Sequence, residues 1–202
     1  MTDTYNTIAS KGEGLYKEKG SKFIAYAFPL NTEDSVKALL DQFHKEYHNA
    51  RHICYAYKLG YDENAPYRIN DDGEPSGTAG KPIFGQILSH ELTDILIIVV
   101  RYFGGTKLGV SGLINAYKSA ALEAIEAAGI VECIRYASLS INYDFALTNE
   151  AMRVVKDHNL KISEQTYDTA CHLRVEIRLS EYDRVKGVFD NIYGITINTE
   201  EE

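Results

Sequence analysis

The sequence predicts an α+β fold in two domains, and three observations carry that prediction. The chain has 202 residues, enough for one large domain or two small ones, and 45% of them are hydrophobic, enough to build a core. Segments of helical period alternate with segments of strand period along its length. From about residue 137 the pattern restarts as strand, helix, strand, strand, helix, strand, the order of a ferredoxin-like unit. This places a boundary near 136 and divides the chain into residues 1–136 and 137–202.

The elements follow in order. GLYKEKGSKFIAYAFPL reads as a hairpin whose turn is Lys19-Gly20-Ser21-Lys22 and whose second strand ends at Pro29. NTEDSVKALLDQFHKEYHNA has Asn31 or Thr32 as a cap, acids in its first turn, and Val36, Leu39, Leu40, Phe43 and Tyr47 on one helical face. RHICYAYKLGY alternates, with Ile53, Tyr55 and Tyr57 on one side and His52, Cys54 and Ala56 on the other, which makes a strand. YRINDDGEPSGTAGKPIFGQILSHEL begins as an acidic, glycine-rich loop and becomes a short helix with Pro82 in its first turn. DILIIVVRYF is the central strand. After RYFGGTKLGVSGL a helix runs through LINAYKSAALEAIEAAG, placing Tyr117, Ala121, Ala124, Ile125 and Ala128 on one side, and Gly129 stops it. The second domain is ASLSINYDF, ALTNEAMRVVKDHN, KISEQTYD, ACHLRVEIRL, SEYDRVKGVFDN and GITINT.

Composition narrows the function. Cys54, Cys133 and Cys171 are widely spaced, which argues against a disulfide framework or a zinc knuckle and points to a reducing cytoplasm. The first residues lack a basic stretch followed by an apolar one, and the longest apolar run, ILIIVV, is too short to span a bilayer, so neither export nor a membrane partner is expected. The formal net charge of -8 rules out a general polycation. Residues 1–135 carry 14 basic against 17 acidic groups and residues 136–202 carry 7 against 12, so basic surface belongs to the first domain.

Two helices, starting near Pro82 and near Leu113, are reached through glycine-rich backbone. Helix starts present unpaired N–H groups and about half a positive charge, so both suit an anion, with Lys81, Arg101 and Lys107 beside them. The spacing is neither a P-loop nor a dinucleotide fingerprint. Alternatively, Gly104, Gly105, Gly109 and Gly112 let two helices and a strand cross tightly while Arg101 pairs with an acid. Asp71, Asp72 and Glu74 offer hard oxygens, either to a magnesium ion bridging a phosphate or to backbone N–H groups in a turn. His52 and Cys54 share a strand face, but neighbours at that spacing lie about 6 to 7 Å apart, which favours a half-buried histidine over a nucleophilic dyad. Ser76 and Thr78 are placed to cap the helix that follows, and no catalytic triad assembles.

KGSKFIAYAFPL, ARHICYAY, DDGEPSGTAGKPI and RYFGGTKLGVSGLINAY together make the chain resemble the IMPACT family, in its bacterial YigZ-like branch. The resemblance covers nearly the whole chain. It implies a first domain that is a β-α-β sandwich like the fourth domain of elongation factor G, and a ferredoxin-like second domain like that factor's fifth. Eukaryotic relatives look like regulators of translation acting through a stress kinase, using an additional N-terminal domain that is not expected here, so that partner does not carry over. Two positions depart from the family pattern: Ser111 stands in place of a glycine, and Asn115 where a basic residue is common. For bacterial members the resemblance implies a role near translation or RNA but no settled activity; the leading expectation is a non-enzymatic, translation-associated regulator that binds RNA or the ribosome through Lys22, Arg51, Lys81, Arg101 and Lys107, with Gly104, Gly105, Gly109, Ser111 and Gly112 shaping the surface. No cofactor and no reading of DNA sequence are expected. The alternative is an enzyme or sensor for a phosphorylated small molecule or nucleotide, with magnesium held by Asp71, Asp72 and Glu74.

Overall fold

A computed structural model describes residues 3–61, 64–167 and 170–198. The chain divides into two compact units, Tyr5–Cys133 and Ile134–Glu202 with Met1–Thr4. The α+β class predicted from the pattern is the class observed.

In the first unit β1 (Thr4–Ile8) pairs with β7 (Ile130–Ile134) in a two-stranded ribbon. The main sheet comprises β2 (Gly12–Glu18), β3 (Ser21–Pro29), β4 (His52–Lys58), β5 (Tyr67–Asn70) and β6 (Ile95–Tyr102). Its strand order is β2-β3-β6-β4-β5, antiparallel throughout. The central β6 is buried on both faces, which is why it reads as an unbroken apolar run. Ile95, Ile97 and Val99 pack toward α2 (Gly80–Ser89) and α3 (Gly109–Ala128), whereas Leu96, Ile98 and Val100 pack under α1 (Glu33–Glu46). Alternation along β6 then sets Arg101 on the α2/α3 face, at the strand's end.

Small side chains bring α3 close to the sheet. A Cβ on Gly12 would meet the Ala124 carbonyl oxygen at 2.1 Å, and one on Gly14 would meet that of Ala120 at 2.6 Å, so β2 lies directly against the helix backbone. Ala116, Ala120, Ala121 and Ala124 are fully buried in this contact. The alanine content supplies helix propensity and a smooth packing face at once.

In the second unit β8 (Tyr136–Tyr143), α4 (Thr148–Asp157), β9 (Lys161–Tyr167), β10 (Cys171–Arg178), α5 (Tyr182–Asp190) and β11 (Ile195–Asn198) follow in order. The sheet order is β11-β8-β10-β9 with antiparallel pairing, a split arrangement of the ferredoxin-like kind. Leu139, Ile141, Leu173 and Val175 face Ala151, Val154, Val185 and Phe189 in its core.

Three strands depart from the sequence reading: β1, β5 and β7 were not anticipated, and β5 occupies the start of the segment read as an irregular loop. Helix α3 begins at Gly109, a turn before Leu113, and takes Ser111 and Gly112 into its first turn. No helix among the described residues is long and apolar enough to cross a membrane.

Candidate functional site

The end of β6 meets the start of β4 and of α3, and this meeting builds the site. His52 pairs with Arg101 across the sheet, and the Arg51 amide donates to the Arg101 carbonyl at 2.8 Å. The chain then leaves β6 through Phe103 and returns at Lys107 and Leu108 to start α3. A cleft of about 620 Å³ lies between them, lined by Arg51, His52, Glu74, Arg101, Phe103 and Lys107 with apolar residues from Leu108 to Leu113. That size falls within the ~300–1,000 Å³ typical of ligand sites.

The floor is a buried polar network. Arg101 is only 5% exposed and its guanidinium donates to Glu74, itself 8% exposed. The Tyr117 hydroxyl donates to the same Glu74 oxygen at 2.8 Å, and His52 Nε2 lies 3.8 Å from it. Cys54 donates through Sγ to the Tyr117 hydroxyl at 3.3 Å. The guanidinium also lies 5.3 Å from the Phe23 ring centroid and 5.6 Å from that of Phe103, while Arg101 Nε has no hydrogen-bond partner among the described residues. Burial raises the Cys54 thiol well above its ordinary range, and the hydrogen bond with Tyr117 only partly opposes this. Burial likewise raises the Tyr117 phenol. Cys54 is therefore a protonated core thiol, not a nucleophile paired with His52.

The three acidic residues do not converge as a ligand set. Asp71 accepts from the amides of Gly77, Ala79 and Gly80 at 2.8, 3.0 and 2.8 Å and thereby caps α2. Asp72 accepts from the Ile53 amide at 2.6 Å, and its carbonyl meets His52 Nδ1 at 2.6 Å. Glu74 is the counterion of Arg101. The expected magnesium grouping of Asp71, Asp72 and Glu74 is thus replaced by a cap, a strand anchor and a buried ion pair; among the described residues no group of three or more His, Cys, Asp or Glu side chains is placed to hold a metal ion. Ser76 and Thr78 do not cap α2, because Asp71 already occupies its first amides and the Thr78 hydroxyl donates to the Pro75 carbonyl at 2.7 Å.

The two helix starts therefore differ. That of α2 is neutralised internally by Asp71, which removes it as an anion site and leaves Lys81 exposed outside the cleft. That of α3 has no side-chain cap and no acid in its first turn, and Gly109 lies within the cleft with φ at +75°. Arg51 and Lys107 are exposed, and no ion pair is formed by either among the described residues.

Of the predicted basic surface, the structure brings together Arg51, Arg101 and Lys107 with Gly109. It does not bring Lys22, which pairs with Tyr102 and by strand alternation stands on the α1 face of the sheet. Gly104 is packed against the β2–β3 turn, where a Cβ would meet the Gly20 carbonyl carbon at 1.9 Å, so its role is close backbone approach. Gly105, Ser111 and Gly112 flank the cleft without lining it. Phe103 and Val110 were missed as site residues; they are 49% and 60% exposed and form apolar walls. For Phe103 the signal was its parity with Arg101, two residues earlier.

The family model described as the Impact N-terminal domain matches residues 19–125. The chain is 38% identical over 132 residues to the IMPACT family member YvyE of Bacillus subtilis, a match covering 65% of this chain and 60% of that protein. It is 39% identical over 100 residues to the IMPACT family member YigZ of Escherichia coli, covering 49% of each. The chain thus spans about half to three-fifths of the length of these two relatives. A crystal structure of a hypothetical protein superposes over the whole of both chains with a TM-score of 0.73 at 25% identity.

Proposed function

This chain belongs to the IMPACT family, and from that premise we propose that it is a translation-associated regulator whose first unit contacts RNA or the ribosome through the cleft at the start of α3. The observation that carries the reading is the pairing of two exposed cations, Arg51 and Lys107, which form no ion pair among the described residues, with an uncapped helix start. All three supply positive potential directed at one place, which suits a phosphate. Glu74 is held against Arg101 at the bottom of the cleft, so the carboxylate most able to repel an anion is already neutralised. The contact is local, which accommodates an overall charge of -8.

Phosphate contacts by lysine and arginine confer affinity without sequence choice and release counterions, with a salt slope of about -0.7 per phosphate on single strands. Titrating labelled RNA and purified ribosomes across a salt series tests the reading. Wild-type affinity is expected to fall steeply with salt, and Lys107→Ala to weaken binding and flatten the slope by about 0.7. A wild-type chain that binds neither partner at low salt refutes it.

The concavity of the site favours a second reading, an enzyme or sensor for a phosphorylated small molecule, because about 620 Å³ is room for a nucleotide. On this reading Arg51, Lys107 and the α3 start hold the phosphate. Thermal stabilisation of the chain by a panel of nucleotides, abolished in Arg51→Ala, is the corresponding outcome.

A further inference from the structure

The cleft is more than a basic patch. A surface that only tracked phosphates would need lysine and arginine on an open face, and apolar walls would be a cost. Here the cations share the site with Phe103, of which 49% is exposed, and with Val110, of which 60% is exposed. One side of the Phe103 ring is engaged by the Arg101 guanidinium at 5.6 Å, and the rest is open. The guanidinium is braced in turn by Phe23 and by the Glu74 pair, so Phe103 rests on a buried support and not on a mobile chain. An exposed aromatic ring fixed from behind is a stacking platform.

We propose that the cleft seats one unpaired nucleotide of a single strand of RNA, its base stacked on the open face of Phe103 and its phosphate held by Lys107, Arg51 and the amides at the start of α3. This deepens the reading given above and rests on it. Three features point to a ligand independently of the helix start. Arg51 and Lys107 form no ion pair among the described residues, Phe103 is open to solvent, and the buried Arg101 lines the floor. The concave shape also sets the class of RNA. A duplex presents its phosphates on a convex surface and keeps its bases stacked inside, whereas a single strand can turn a base outward into a cavity. The apolar walls are matched to a base and the rim to its phosphate.

The shared ligand chemistry, a base bearing a phosphate, is also that of a free nucleotide, and the experiment separates the two. Anisotropy titrations use the full chain with a labelled single strand of about 12 nucleotides, the corresponding duplex, and AMP as competitor. Loss of one base–aromatic stack is expected to lower single-strand affinity roughly 5- to 150-fold in Phe103→Ala while the salt slope is unchanged, with recovery in Phe103→Trp. Lys107→Ala is expected to change the slope as well. The duplex is expected to bind more weakly than the single strand and to be insensitive to Phe103→Ala. If Phe103→Ala binds the single strand as wild type does, while Lys107→Ala still weakens binding, the nucleotide seat is overturned and the RNA surface stands. If wild type binds AMP in a Phe103-dependent way but no RNA, the RNA source is overturned and the free nucleotide takes its place. If neither binds, both readings fall.

Discussion

Arg101→Met is the substitution whose consequence the structure determines most sharply. Methionine roughly keeps the length and apolar bulk of the side chain but removes the cation, leaving Glu74 8% exposed with Tyr117 as its remaining close donor. Breaking a buried ion pair from one side costs about 3–5 kcal/mol, because the surviving charge stays desolvated. The unit Tyr5–Cys133 has 129 residues. At about 2.1 cal/mol/K per residue its unfolding entropy is near 270 cal/mol/K, so the loss corresponds to a fall in Tm of roughly 11–19 °C. Glu74→Gln is expected to cost about as much, since it strands the buried guanidinium instead. In the double variant both charges are gone and glutamine can still accept from Tyr117, so its cost is expected to be about 1–3 kcal/mol, far below the sum of the singles. Calorimetry or urea unfolding of the four chains gives the coupling energy directly. A double variant as unstable as the two singles added together would refute the buried pair as the organising contact of the cleft floor.

Three other outcomes follow from the same geometry. Asp71→Ala removes the acceptor for the Ala79 and Gly80 amides at the start of α2 and for the Gly77 amide in the loop before it, and is expected to cost about 2 kcal/mol, at the upper end for a lost helix cap, read as a shift in urea midpoint at unchanged m-value. Cys54 is buried with its thiol raised, so a thiol reagent at pH 8 should label it only on unfolding; rapid labelling of a Cys133→Ser/Cys171→Ser chain in its native state would contradict the core role. Asp3 is held well below the usual carboxylate range by Arg178, so the stability it contributes is present at neutral pH and lost as pH falls through that lowered value; Asp3→Asn should flatten the acid limb of the unfolding curve.

The parts of the fold that local pattern could specify were legible. Alternation assigned the two faces of β4, and helical spacing assigned the buried face of α3, because burial on one side leaves its period in the residues. The missed strands lack that imprint. β5 has four residues and owes its extended form to the register Tyr55↔Asn70 with β4, whereas β1 and β7 pair across more than a hundred residues. The first turn of α3 was read as loop because Gly109 and Gly112 are poor helix formers; Leu113 and Ala116 in the core override that preference. At the site, sequence identified Arg101 and the need for an acid beside it but not which acid. Glu74 lies 27 residues away and reaches Arg101 only because Asp71 and Asp72 fasten their loop to α2 and β4.

That fastening also bears on how a chain of net charge -8 could meet the phosphate proposed above. Charges act over about 8 Å at physiological ionic strength, so affinity follows the groups around the cleft and not the total. Within the loop nearest the site three acids stand in four residues, DDGE, and left free they would cancel the potential of Arg51 and Lys107. Each is spent elsewhere: Asp71 on the dipole of α2, Asp72 on a strand amide, Glu74 on Arg101. What remains facing the cleft is the uncapped start of α3 and two cations that form no ion pair among the described residues. The acidic loop is therefore the means by which one helix start is closed and the other left open. Asp71→Asn should sharpen this asymmetry into a measurement: it weakens the cap of α2 without touching the cleft lining, and is expected to lower stability while leaving the salt slope of RNA binding unchanged. A changed slope would mean that the start of α2 also faces the ligand, and the single-site reading would then have to give way to two.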